Sequence, residues 1–243
     1  MSTIEILFFF SFLYPLVMAW TWMFGGAWFF FKYEFRHRAL PEPSLEGASI
    51  IIPCFNEDEQ VRETIRYALQ TQYPNFEVIA VNDGSSDQTA AILDELAVKN
   101  ERLRVVHLAN NQGKAFALRS GAMVSQHEHL ICIDGDALLH PHAVLWMMHH
   151  LINFSHVGAV TGNPRIINRS SILGKLQVGE FSSIIGLIKR AQRTYGRIFT
   201  VSGVIAGFRK TALEEVGFWS ADKITEDIDI SWKIQIHNWK IHY

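Results

Sequence analysis

The hydrophobic pattern opens with a stretch that has no charge in it. From Leu7 to Phe31 there are 25 residues without Asp, Glu, Lys or Arg. At about 1.5 Å per residue, a helix of that length crosses a hydrocarbon core of roughly 30 Å. Trp20, Trp22 and Trp28 lie in the run, and Tyr14 and Tyr33 add rings suited to headgroup depth. A cleaved leader would have a shorter apolar core behind a basic start, whereas here Glu5 precedes the run and no small-residue cleavage site follows. A retained membrane helix is therefore expected within residues 1–38. Lys32, Arg36 and Arg38 follow it, and no Lys or Arg precedes it, so the rest of the chain should face the cytoplasm across an inner (plasma) membrane.

Beyond a linker over 39–47, stiffened by Pro41 and Pro43 and closed by Gly47, the pattern alternates between two periods. Ser49–Pro53, Phe76–Val81, Leu103–His107 and the run from Leu130 are apolar and of strand length. Between them, Glu57–Gln70, Gln88–Lys99 and Gly113–Ser125 carry apolar residues at helical spacing, with Asp87 placed to cap the second. This is a series of βαβ units, and right-handed crossovers make the sheet parallel; if it runs in the order 3-2-1-4, Cys54 and Cys132 end neighbouring strands. The fold class is α/β, a mostly parallel Rossmann-like sheet flanked by helices, in one domain over 48–243.

Later segments are less regular: a helix over 142–152, a strand over 157–161, a helical stretch over 173–195 and an extended run over 198–208. Thr211 is placed to cap a helix to residue 216, and another helix spans 228–237. A strand starts at Lys240, and since domains rarely end as a strand begins, a C-terminal truncation is expected.

Composition changes this picture little. The chain has 243 residues, of which 22 are Lys or Arg and 24 Asp or Glu, so it carries no basic footprint for nucleic acid. Its two cysteines, Cys54 and Cys132, suit buried thiols in a reducing compartment.

The chemistry concentrates at strand ends. The strand from Leu130 stops in Asp134-Gly135-Asp136, and side chains two apart on an extended backbone point the same way, so both carboxylates can converge on one hard cation. Ligands of open α/β sheets bind beyond the carboxyl ends of the strands. Pro53-Cys-Phe-Asn56-Glu57, Asn82-Asp83-Gly-Ser-Ser-Asp87 and Asn110-Asn-Gln-Gly-Lys114 put polar or glycine-rich residues on the same rim. Glycines and the first amides of following helices suit a diphosphate, and Asp83 can accept from a base or ribose donor. Each loop taken singly also reads as an ordinary βα turn or N-cap. His140 and His142 beside the acidic pair hint at zinc, but oxygen ligands point to magnesium or manganese.

Five motifs in this order, Ile50–Glu57, Val81–Asp87, Asn111–Lys114, Ile133–Asp136 and Ile224–Asp227, resemble the inverting, GT-A-fold family 2 glycosyltransferases that use nucleotide sugars. The resemblance covers roughly 48–243. Within it, Thr161–Arg165, Val201–Ala206 and Trp219–Trp232 look most like the bacterial poly-N-acetylglucosamine synthases of biofilm exopolysaccharide. It implies that Pro53, Asn56, Glu57, Asp83, Lys114 and Asp134 bind the nucleotide sugar, with Asp83 on the uridine. It assigns Asp136 and Asp134 to a Mg²⁺ or Mn²⁺ ion, and Asp227, with Glu226 beside it, to the general base. Asn163, Arg165, Ser202, Gly203 and Trp219 would line the acceptor groove.

The expected reaction is polymerisation of N-acetylglucosamine from UDP-N-acetylglucosamine onto a growing polysaccharide. The bilayer is then a partner, and the relatives leave room for a membrane protein partner in synthesis or export. Two alternatives stay open: a polyprenyl-phosphate sugar transferase of the same fold, and a catalytically silent UDP-binding module. A dinucleotide oxidoreductase is disfavoured, because no Gly-x-Gly-x-x-Gly follows the first strand. Glu226 and Asp227 also suit the positive end of a helix dipole, Lys114 a surface ion pair, and Trp219 the core.

Overall fold

The computed structural model of the chain describes residues 2–35, 39–167, 170–223 and 225–243. Arg36 and Arg38 of the basic flank, and Ile224 of the fifth motif, lie outside the described residues.

The strands are β1 (Ala48–Cys54), β2 (Phe76–Asn82), β3 (Leu103–His107), β4 (His129–Ile133), β5 (Val157–Thr161), β6 (Ile205–Arg209) and β7 (Lys240–His242). The helices are α1 (Thr3–Phe29), α2 (Val61–Leu69), α3 (Thr89–Lys99), α4 (Lys114–Val124), α5 (Ala143–Asn153), α6 (Ile172–Phe181), α7 (Lys189–Tyr195), α8 (Lys210–Glu215) and α9 (Glu226–Ile236). Two π-helical segments, Phe30–Glu34 and Ser182–Ile188, continue α1 and join α6 to α7.

The chain forms two compact units, one of 40–162 and 199–242, the other of 1–39, 163–198 and Tyr243. The sequence reading groups 163–198 with the domain from residue 48, whereas their contacts group them with the N-terminal helix.

The larger unit holds one seven-stranded sheet in the order β3-β2-β1-β4-β6-β5-β7. Every residue of β2 is buried, as expected of a central parallel strand covered on both faces. β1 pairs in parallel with β2 and β4, and β2 with β3. β6 is the exception, running antiparallel to both β4 and β5. Of the run expected to be extended over 198–208, only the end joins the sheet. The residues before β6 are instead held by side chains: the Val201 amide donates to Ser231 Oγ at 2.8 Å and the Ser202 amide to Thr161 Oγ1 at 2.8 Å.

Two helix starts differ from expectation. α2 begins at Val61 rather than Glu57, and the Glu57 and Asp58 amides ahead of it donate across to Thr89 Oγ1 and Asp87 Oδ2. At α8 the capping acceptor is Glu128, whose Oε1 takes the Thr211 amide at 3.1 Å. Asp87 does act at the start of α3, its Oδ1 accepting the Thr89 amide at 2.9 Å. Cys54 and Cys132 are buried free thiols.

In the smaller unit, α1 and its π-helical continuation form a helix long and apolar enough to cross a membrane. α1 packs at close range on α7 and on the end of the π-helical segment before it: a Cβ on Gly25 would fall 2.7 Å from Ala191 Cβ, and one on Gly26 would strike Leu187. Hydrogen bonds follow the same seam, from Thr194 Oγ1 to the Gly25 carbonyl (3.1 Å) and from Tyr195 Oη to the Thr21 carbonyl (2.7 Å). Arg190 pairs with Glu34 at 2.9 Å and lies over the Tyr243 ring.

Candidate active site

The strand order decides where the site forms. β3, β2, β1 and β4 are parallel neighbours, so the loops after them open on one edge of the sheet. β6 runs the other way, with Ile205 opposite Ile133, which brings residues 202–204 beside the end of β4. The Asp134 amide donates to the Val204 carbonyl at 3.0 Å and seals that junction.

The first two loops are knitted together by Asn56, whose backbone sits at φ 54°. Its amide donates to Ser85 Oγ at 3.1 Å, and its Oδ1 accepts the Ser86 amide at 2.9 Å. Asp83, buried at the end of β2, reaches the third loop, where its two oxygens accept the Gln112 and Gly113 amides at 2.9 and 2.8 Å. Those bonds fix the turn leading into Lys114 and leave lone pairs for a further donor. Gly84 is required here: its φ is +65°, and a Cβ would fall 2.6 Å from the Asn110 carbonyl carbon. Pro53 is half-buried near the end of β1, and its carbonyl lies 2.8 Å from where a Cβ on Gly135 would sit.

Acidic groups crowd this edge. Burial raises the Glu57 pKa, and the negative charges of Asp136, Asp87 and Asp134 add to it. Asp134 is raised too, first by burial and then by Asp136 and Glu226, against the pull of Lys114. Asp136 is exposed to solvent. Burial works against the Lys114 ammonium, but Asp134 and Glu226 outweigh it and raise its pKa. Lys114 pairs with Asp134, lies 3.5 Å from Glu226 and donates to the Gly203 carbonyl at 2.9 Å.

Among the described residues no three His, Cys, Asp or Glu side chains are grouped to hold a metal on their own. The donors at Asp134 and Asp136 are carboxylate oxygens. Such a set suits a small hard cation that takes one or two protein carboxylates and completes its shell from phosphates and water. The mutual repulsion of Glu57, Asp134 and Asp136 is what a divalent cation would relieve.

The other wall comes from the start of α9. Glu226 and Asp227 occupy its first turn, where negative charge is favoured, and Thr225 makes no side-chain cap. A small cleft there is lined by Glu226, Asp227, Lys114, Ser202, Gly203 and Trp219, together with Leu118, Cys132, Ala206 and Phe208. A Cβ on Gly203 would lie 3.6 Å from Asp227 Oδ2, so Gly203 borders that carboxylate. Asp227 Oδ1 accepts the Ile228 amide at 2.9 Å. Asp229 is engaged elsewhere, accepting from Ser220 at 2.8 Å and pairing with Lys233 at 3.0 Å. Trp219 is buried, edge-on to Phe208 with ring centroids 5.2 Å apart, and forms part of the cleft wall.

The structure thus links Lys114, Asp134, Glu226, Asp227 and Gly203 through direct contacts or a shared cleft, while Asp83 holds the turn that leads into Lys114. Asn163, half-buried, and Arg165, exposed, belong to the other compact unit. Sequence reasoning missed Ala206 and Phe208. Their spacing of two on a strand carries the signal, since such side chains share a face.

A family model described as Glycosyl transferase family 2 matches residues 49–217. A poly-beta-1,6-N-acetyl-D-glucosamine synthase of Staphylococcus epidermidis is 43% identical over 235 residues, which is 95% of this chain and 57% of that protein. The synthase of the same description from Staphylococcus aureus strain COL is 40% identical over 242 residues, 97% of this chain and 58% of that protein. The chain therefore spans a little over half the length of these curated relatives. Among solved structures, a mannosyltransferase from Pyrobaculum calidifontis in complex with GDP-Man and Mn2+ superposes with a TM-score of 0.71 at 19% identity, covering 93% of this chain and 64% of that one. TarS 1-349 of S. aureus in complex with UDP-GlcNAc does so with a TM-score of 0.57 at 19% identity, covering 80% and 55%. At these identities the likeness is one of fold, of the GT-A type.

Proposed function

The chain belongs to glycosyl transferase family 2, and from that premise we propose that it transfers N-acetylglucosamine from UDP-N-acetylglucosamine to the end of a growing β-linked polysaccharide. The observation that carries the reading is the span of Lys114, which joins Asp134 on the donor side to Glu226 beside Asp227. Donor-side and base-side acids thereby meet at one edge of one sheet. The choice of sugar rests on the 43% identity to a synthase named for that polymer.

In this reading Asp83 accepts from the uracil, and Pro53 at the end of β1 and the loop bearing Asn56 and Glu57 close around the nucleoside. Asp227 takes the proton of the acceptor hydroxyl as its oxygen attacks the anomeric carbon. The bond from that carbon to the diphosphate oxygen breaks on the opposite face, its electron pair leaves with UDP, and the configuration inverts. Asp136 and Asp134 would hold a Mg²⁺ or Mn²⁺ ion, which would supply neutralising charge for the diphosphate. Lys114 brings a second positive charge to the same group. Ser202, Gly203 and Trp219 shape the acceptor side of the cleft. Residues 1–38 anchor the chain in the plasma membrane, so that 48–243 works on the cytoplasmic face, where UDP-sugars are made.

The test is incorporation. Membranes carrying the chain are incubated with labelled UDP-N-acetylglucosamine or UDP-glucose and a β-linked N-acetylglucosamine oligosaccharide. The proposal expects the acetamido sugar to be transferred with release of an equal amount of UDP. Preferential transfer of glucose would overturn the choice of sugar.

A further inference from the structure

The smaller unit has an apolar surface that its own packing leaves uncovered. On α6, Ile172, Leu173 and Leu176 are 81%, 66% and 67% exposed, and Ile184 in the following π-helical segment is 51% exposed. Single exposed leucines mean little, but four large aliphatic side chains within 13 residues of one continuous helical stretch are unusual on a water-facing surface.

The same stretch runs directly into α7, whose Ala191, Thr194 and Tyr195 are seated on α1. The surface is therefore continuous, through a tightly packed seam, with the helix read as spanning the membrane. Over 172–188 the charged residues are Lys175 and Glu180 alone, so lipid contact there rests on apolar area rather than on charge.

We propose that 172–188 is a second membrane-contacting element, lying in the bilayer interface with Ile172, Leu173, Leu176 and Ile184 among the lipid chains. This rests on the reading of α1 as a membrane helix. Each glycosyl transfer would then take place in a chain gripped by the lipid at two separated points of its sequence.

Leu176→Cys and Ile184→Cys, labelled with an environment-sensitive fluorophore in the full chain, test it in vesicles of mixed neutral and anionic phospholipid. The native thiols give little background, since burial, followed by the charge of Glu57, pushes Cys54 up to about 12, and burial raises Cys132 as well. Trp20→Cys on α1 and Val98→Cys on α3, the latter position 89% exposed, serve as membrane and water references. Both test labels should shift to the blue and lose most of their emission to lipid carrying a nitroxide at a depth of roughly 5–10 Å, as α1 does and Val98→Cys does not. Labels at 176 and 184 that behave like the one at 98, while that at 20 is quenched, would overturn the inference and leave the membrane helix standing. A blue shift without quenching by lipid would show cover by protein and overturn it too. A water-like label at 20 would remove the underlying reading and the inference together.

Discussion

The Lys114 ammonium stands 3.5 Å from the Glu226 carboxylate while it also pairs with Asp134. One cation thus spans from the carboxyl end of β4 to the first turn of α9, two elements more than 90 residues apart in sequence. An ammonium held there by two acids is positioned to meet an anionic group arriving between them. Lys114→Met should weaken UDP binding about 10- to 100-fold, the range for loss of a hydrogen bond to a charged group. Displacement of a fluorescent UDP analogue measures this, and a melting temperature within a few degrees of wild type shows that the effect is local.

Asp227 and Asp229 sit two residues apart on α9, with different partners. Asp227 lines the cleft, whereas Asp229 is committed to Ser220 and Lys233. Asp227→Asn should lower turnover by about 10²- to 10⁴-fold, the usual worth of a positioned general base, with UDP affinity nearly unchanged. Asp229→Asn should leave turnover within a few-fold and act on stability instead. Steady-state rates and binding titrations on both variants check this contrast, and equal losses of turnover would contradict it.

A buried acid inside β2 gives a pH prediction. Burial alone would raise the Glu77 pKa, but bonds from the Gln126 amide, Ser49 Oγ and Arg104 outweigh it, and the carboxyl is held below its ordinary value. A lowered folded-state pKa means that Glu77 contributes stability above its unfolded value, near pH 4.3, and that this contribution is lost as pH falls through the folded value. Glu77→Gln should cost about 1–3 kcal/mol at neutral pH. It should also flatten the fall in melting temperature of the detergent-solubilised chain below about pH 4.3, where Glu77 takes up its proton.

Gly84 has no room for a methyl group. With φ at +65° and Asn110 backbone 2.6 Å from any Cβ, Gly84→Ala should destabilise the chain by about 1–3 kcal/mol. Because the same contact seats the third loop against Asp83, UDP affinity should fall with it. A thermal melt paired with a nucleotide titration reads both effects.

Much of this fold is legible from pattern alone, because β1, β2 and β4 are buried on both faces and read as largely apolar runs. The common rim follows once the strands are parallel. What is not legible is direction and partner. Nothing in Ile205–Arg209 says that β6 runs against β4, since an antiparallel strand buried on both faces has the same apolar run. The Glu57 and Asp58 amides ahead of α2 are held by Thr89 and Asp87, 29 or more residues away in sequence. The seam between α1 and α7 rests on Gly25 and Gly26, and glycines in an apolar helix do not announce which helix they receive. At the site, Asp83 is recognisable as a rim acid, but its two bonds to the Gln112 and Gly113 amides appear only in three dimensions.

The central claim is that acids from separate strand ends make one cation-assisted pocket for a nucleoside diphosphate. Calorimetric titration of UDP into the detergent-solubilised chain, with Mg²⁺ or Mn²⁺ and with chelator, tests it most directly when run beside Asp136→Ala. Binding should strengthen with metal in the wild type and lose that metal response in Asp136→Ala. Metal-independent binding of equal strength in both proteins would contradict the account.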